Sequence, residues 1–82
     1  MAEPITVSYF AAFVEHTGCS REELEVDERT VGALRRAVAD KHGPVAGELA
    51  RVSAVLDGDL LVTKDSAGIG TEVDLLPPFA GG

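Results

Sequence analysis

One stretch of this 82-residue chain is both long and regular enough to make a full-length helix, and it limits what the rest can fold into. Val31, Leu34, Ala37, Val38 and Lys41 recur at helical spacing, with Arg35, Arg36 and Asp40 on the opposite, outer face. Thr30 is placed to cap its N-terminus. Lys41 and His42 fall in the last turn, where positive charge suits the helix dipole, and Gly43-Pro44 ends it. A single principal helix cannot build a bundle. It can cover one face of a sheet, and the flanking sequence supplies the strands.

Residues 5–10, ITVSYF, alternate and are rich in β-branched and aromatic types, which predicts a strand. Residues 11–17 predict a short helix stopped at Gly18, followed by a turn over Cys19-Ser20-Arg21. In residues 22–27, Leu24 and Val26 share one face with acids between them, a second strand hairpin-like with the first. Residues 45–51 predict a second short helical turn, and 52–56 and 60–63 two strands joined at Asp57-Gly58. Residues 64–70 read as loop, and 71–76 as a final strand that Pro77-Pro78 ends. The sum is an α+β domain over residues 1–76, a mixed sheet with one main helix packed across it. That arrangement is the ubiquitin-like β-grasp. Residues 77–82 remain as an extended, flexible tail.

The chain carries 14 acids against 7 bases, a net charge of −7. This argues against nucleic-acid or anionic-membrane partners, which need clustered Lys and Arg, and suits a partner with a basic surface. No apolar run approaches a membrane-spanning length, and the N-terminus has an acid and no basic segment of the signal-peptide kind. The single cysteine, Cys19, excludes an intramolecular disulfide. These features predict a soluble, cytoplasmic protein.

The end of the chain is its most specific part. From Leu75 onward, Leu75-Leu76-Pro77-Pro78-Phe79-Ala80-Gly81-Gly82 has no charged side chain, in a chain that is 26% charged. The prolines favour an extended path, and the six residues from Pro77 to Gly82 span about 20 Å when extended. The result is a thin, uncharged arm with one anchor, Phe79, and a carboxylate on Gly82 that no side chain shields. Such an arm can enter a channel that a bulkier one would block. Read blandly, the same residues are a frayed terminus.

The other candidates are weaker. Cys19 has no Cys or His at ligand spacing, and His16 and His42 are too far apart in sequence, with no ligand cluster, for a zinc site. Both histidines read as surface or helix-end residues, and no metal is expected. The run Glu22, Glu23, Glu25, Asp27 and Glu28 reads as a solvated edge that can also steer a basic partner. Asp57-Gly58-Asp59 lacks the later positions of a calcium loop, and Gly68-Ile69-Gly70 lacks the helix and lysine of a phosphate loop.

Four segments together resemble the MoaD/ThiS-type ubiquitin-like sulfur carriers: ITVSYFAAF, TVGALRRAVADKHG, AVLDGDLLV and, above all, EVDLLPPFAGG. The resemblance covers essentially the whole chain. Its double-proline ending is similar to that of the small subunit of molybdopterin synthase, whereas thiamine-type carriers share the Gly-Gly but usually lack the prolines. The resemblance implies that Gly82 is adenylated with ATP by an E1-like enzyme and converted to a thiocarboxylate by a sulfur donor protein. It implies that the large synthase subunit, in a heterotetramer, then receives the tail and its sulfur is passed to cyclic pyranopterin monophosphate. The resemblance thus makes Gly82 the reacting residue and implies that Leu75, Leu76, Pro77, Pro78, Phe79, Ala80 and Gly81 bind partners. The chain itself binds no cofactor, ATP being used by the activating enzyme, and the catalytic groups are expected on the partners. Three alternatives stay open: a carrier for thiamine, cysteine or tRNA thiolation, a ubiquitin-like modifier joined to lysines, and a β-grasp interaction module with an idle tail.

Overall fold

The computed structural model describes residues 2–78. The elements run β1 (Glu3–Tyr9), α1 (Ala12–Thr17), β2 (Arg21–Val26), α2 (Val31–His42), α3 (Pro44–Arg51), β3 (Ala54–Asp57), β4 (Leu60–Val62) and β5 (Glu72–Leu76). The strands form one sheet in the order β2-β1-β5-β3-β4. β1 and β5 are parallel, and the other neighbours are antiparallel. This is the mixed sheet of the β-grasp, with the last strand at its centre.

Alternation along each strand sends one set of side chains into the helical layer. Ile5, Val7 and Tyr9 of β1, Leu24 and Val26 of β2, Val55 of β3, and Val73 and Leu75 of β5 are all buried. They join Val31, Leu34 and Val38 of α2, Phe13 of α1, and Ala46 and Ala50 of α3 in one core. The Tyr9 and Phe13 rings stack with centroids 5.7 Å apart, tying the end of β1 to α1.

Helix α2 starts as its sequence predicts: Thr30 is extended and its hydroxyl accepts from the Ala33 amide at 3.2 Å. Residues 64–70, read as plain loop, complete that N-terminus. The Val31 amide donates to the Ala67 carbonyl and the Gly32 amide to that of Asp65, so two amides with no partner inside the helix are satisfied by the loop. Ile69 is buried against the core and anchors it.

Several expectations change. Residues 45–51 are not a single turn but most of a complete helix, α3, which opens on Pro44 immediately after Gly43. Proline needs no amide partner at a first helical position, so the residue that stops α2 also starts α3. The two helices approach so closely that a Cβ on Gly47 would lie 2.5 Å from the Cβ of Ala39. Because α3 covers that flank, Arg35 is not on an outer face. Its side chain is 14% exposed, with Nε donating to the Ala50 carbonyl at 2.9 Å, Nη2 to that of Ser53 at 2.5 Å, and Nη1 2.5 Å from Asp65. Finally, β1 ends at Tyr9, one residue short of the predicted Phe10, because the chain turns at Ala11 with a φ of +53°.

Candidate functional site

The C-terminal residues singled out by sequence divide by position. Leu75 stands opposite Tyr9 on one side and Val55 on the other, and its side chain is wholly buried. It is a packing residue and offers no surface to a partner. Leu76 and Pro77 are half-buried and Pro78 is exposed. Phe79, Ala80, Gly81 and Gly82 lie outside the described residues. The strand leading to them is held on both sides, by β1 and by β3, so the chain leaves the sheet from its middle.

Around that exit the outer face of the sheet is apolar. Leu56 pairs with Leu61 across β3 and β4, and Leu76 stands opposite Ala54, two residues from Leu56. Leu61 is 58% exposed. Phe10, also exposed, follows Tyr9, whose register partner is Leu75, and so lies at the same end as Leu76. The other half of this face is polar: Thr6 and Ser8 on β1, with Arg21 of β2 and Glu72 of β5 bridging over it at 2.5 Å. An exposed apolar patch beside a charged one is the usual form of a docking face.

A second cluster ties α2 to the first two strands. The Tyr9 hydroxyl donates to Glu22 Oε2 at 2.6 Å, Lys41 Nζ lies 2.7 Å from Oε1, and the His42 ring N–H contacts Oε2. Burial alone would raise the Glu22 pKa. The hydrogen bonds from Lys41, Tyr9 and His42 outweigh it and hold the carboxyl at about 2. Burial, with the Glu22 bond and charge behind it, pushes the Tyr9 phenol well above its ordinary range. The hydrogen bond and charge of Glu22 raise Lys41. The carboxylate is occupied by protein donors, which fits a structural tie better than acid–base work.

This cluster departs from the sequence reading. Glu23, Glu25, Asp27 and Glu28 form the exposed acidic edge, but the Glu22 side chain is only 12% exposed and that of His42 11%. Both positions carried a signal. Glu22 has the same parity as Leu24 and Val26, and His42 follows Val38 by four residues, so each belongs to the buried side of its element. Cys19 is half-buried, its thiol 3.9 Å from the Thr17 hydroxyl. His16 is exposed and borders an apolar groove of about 490 Å³ between α1 and α3. Among the described residues, no group of three or more His, Cys, Asp or Glu could hold a metal ion, and no helix is long and apolar enough to cross a membrane.

No curated protein matches this chain. Among solved structures, the crystal structure of SAMP1 from Haloferax volcanii is 24% identical, with 98% of this chain and 100% of that chain covered and a TM-score of 0.68. A crystal structure of H. volcanii small archaeal modifier protein 1 is 24% identical over 93% of this chain and 98% of that one, with a TM-score of 0.66. The solution structure of the Haloferax volcanii HVO 2177 protein is 24% identical over 99% and 88%, with a TM-score of 0.67. At that identity the likeness is one of fold. The ThiS family model matches residues 7–82, which runs from the middle of β1 through both terminal glycines. The chain therefore belongs to the ThiS family, of the ThiS/MoaD-type ubiquitin-like kind.

Proposed function

We propose that this chain is a sulfur carrier whose Gly82 carboxylate is the group that bears the sulfur. The observation that carries the reading is the family match through Gly82, over a segment with no charged side chain from Leu75 onward. The division of labour is a folded domain over residues 1–76 and a working tail over 77–82. The chemistry follows from the weakness of a carboxylate as an electrophile. A carboxylate oxygen attacks the α-phosphorus of ATP on an E1-like enzyme, pyrophosphate leaves, and an acyl-adenylate forms. A sulfide equivalent from a donor protein attacks the acyl carbon, and AMP leaves. Glycine at the last two positions lets the arm lie flat in a narrow channel.

The Pro77-Pro78 ending favours one pathway, molybdenum cofactor biosynthesis. On this reading the partner is the large subunit of molybdopterin synthase, in a cytoplasmic heterotetramer, and the acceptor is cyclic pyranopterin monophosphate. The docking face is the apolar patch of Leu56, Leu61 and Leu76, with Phe79 as the tail's anchor. The test is co-expression with an E1-like enzyme and a sulfur donor, followed by intact mass. One sulfur replacing one oxygen at the C-terminus is expected, and the product should form molybdopterin when mixed with the large subunit and the pterin. An unchanged mass would overturn the carrier reading, and a thiocarboxylate inert toward the pterin would overturn the pathway.

A second reading is favoured by the names of the similar folds, two of which are archaeal modifier proteins. A protein modifier would be joined through Gly82 to lysines of target proteins. It would appear as an isopeptide ladder that disappears when Gly82 is removed.

A further inference from the structure

The two edges of the sheet are built differently. β2, at one edge, exposes Arg21, Glu23 and Glu25, and charge on an edge strand opposes pairing with another strand. β4, at the other edge, reads Leu60-Leu61-Val62, with no charge and no proline. Leu60 is 61% exposed and Leu61 58%, so neither leucine is covered. Among the described residues β4 has a neighbour on one side only, β3.

The turn decides which way the backbone of β4 points. Asp57 and Leu60 close a two-residue turn over Gly58-Asp59, with a positive φ at Gly58 and not at Asp59. In such a hairpin the closing pair exchanges amide hydrogen bonds and the next pair, Leu56 and Leu61, does not. The Leu61 N–H and C=O therefore point away from β3, towards the open side.

An edge of this kind takes an uncharged strand, and β4 fits its own copy. A two-fold axis at Leu61 sets Leu61 opposite Leu61 of the other copy and Leu60 opposite Val62 on both sides. Each Leu61 amide then donates to the Leu61 carbonyl across the axis. An axis at Leu60 would set Asp59 opposite Leu61, and one at Val62 would set Lys64 opposite Leu60. With the axis at Leu61, Asp59 of each copy comes beside Lys64 of the other, once at each end of the ladder. Both side chains are exposed, and neither makes an ion pair among the described residues.

We propose that two copies of this chain pair antiparallel through β4, centred on Leu61, and join two five-stranded sheets into one. The association is weak and reversible, because the ladder is three residues long and two chains of net charge −7 repel. Leu61 of each copy lies beside the other on the outer face, with Leu56 behind it, so the apolar patch runs unbroken across the pair.

The experiment is sedimentation equilibrium on the full 82-residue chain from micromolar to millimolar concentration, with amide hydrogen exchange at both ends of that range. The mean mass should rise from that of one chain towards that of two. The Leu61 amide should become protected as it does, while those of Leu60 and Val62, already bonded to β3, stay as they were. Asp59→Lys and Lys64→Asp are exposed changes outside the strand, so both variants keep the fold. Each alone sets like charges together at both ends and should self-associate roughly tenfold more weakly than the parent. An equimolar mixture of the two variants restores opposite charges at both ends and should pair as well as the parent. A mass that stays at one chain up to the highest concentration would overturn the proposal. A dimer whose Leu61 amide stays unprotected, or a mixture that pairs no better than its components, would overturn it too. So would growth beyond two chains, because pairing through β4 uses up the only uncharged edge among the described residues.

Discussion

The Tyr9 hydroxyl and the Glu22 carboxylate, 2.6 Å apart, join the first two strands from inside the core and receive the end of the main helix. Lys41 and His42 reach the same carboxylate from α2. Three elements, β1, β2 and α2, thus share one anion, and its protonation should be felt by the whole domain.

Stability should therefore depend on acid in a defined window. Glu22 is held at about 2 in the folded chain against an ordinary 4.5. A carboxyl depressed by folding contributes fully above its unfolded value and loses that contribution as pH falls towards the folded one. Urea melts should show this stabilisation intact at pH 6 and declining from about pH 4.5 towards 2. The loss should be on the order of 2 kcal/mol, less than the full shift implies because the Lys41 partner is half-exposed and screened by solvent. Glu22→Gln should be less stable at pH 6 and show a much flatter decline. A parallel decline in both proteins would place the acid sensitivity elsewhere.

Arg35 should matter more than an ordinary surface arginine. Arg35→Ala leaves the Ser53 carbonyl without its guanidinium donor, leaves the Ala50 carbonyl with the Ser53 amide alone, and removes the side-chain tie to Asp65. A loss of about 2–3 kcal/mol is expected in chemical denaturation, and Arg35→Lys should recover only part of it because an ammonium cannot span the fork. A lysine variant as stable as the parent would show that charge alone suffices.

Neighbouring leucines at the end of β5 should behave differently. Leu75→Ala should cost about 3 kcal/mol, as a core truncation does. Leu76→Asp and Leu61→Asp sit on the outer face and should leave the melting temperature within a few degrees of the parent. On the proposed function, each weakens the partner complex by about tenfold or more. Titration calorimetry beside thermal melts separates the two effects. Outer-face variants that bind normally would remove this face from the interface.

The tail gives the sharpest functional outcome. On the proposed function, removing Gly82, or adding one residue after it, should leave the circular dichroism spectrum unchanged and abolish sulfur transfer. One residue shifts the terminal carboxyl by about 3.5 Å, far outside a reacting geometry. Gly81→Phe should block adenylation, and Gly81→Ala should retain part of it. Full adenylation of the phenylalanine variant would refute the narrow channel.

Much of this architecture is readable from local pattern. Thr30 as cap, the spacing of Val31, Leu34 and Val38, the Gly18 and Gly43 stops and the Asp57-Gly58 hairpin all act over a few residues, and each appears where its chemistry places it. What local pattern does not carry is what each surface meets. Arg35 lies opposite the apolar stripe of its own helix and reads as solvated until α3 is known to cover it. Leu75 and Leu76 look equivalent in sequence, and only the central place of β5 makes one core and the other surface. Glu22 and His42 were legible by parity, but charge suggested exposure more strongly than parity suggested burial.

The central position of β5 also orders events at synthesis. β1 is made early and β3 in the second half of the chain, yet neither has its inner neighbour until residues 72–76 exist. A nascent chain that stops before Glu72 lacks the strand that joins both halves of the sheet, and Val73 and Leu75 with it. Chains truncated before Glu72 should therefore stay unfolded, because no partial version of this sheet buries a complete core. The strand that closes the sheet is the last one made, so the fold is complete only once residues 72–76 are in place.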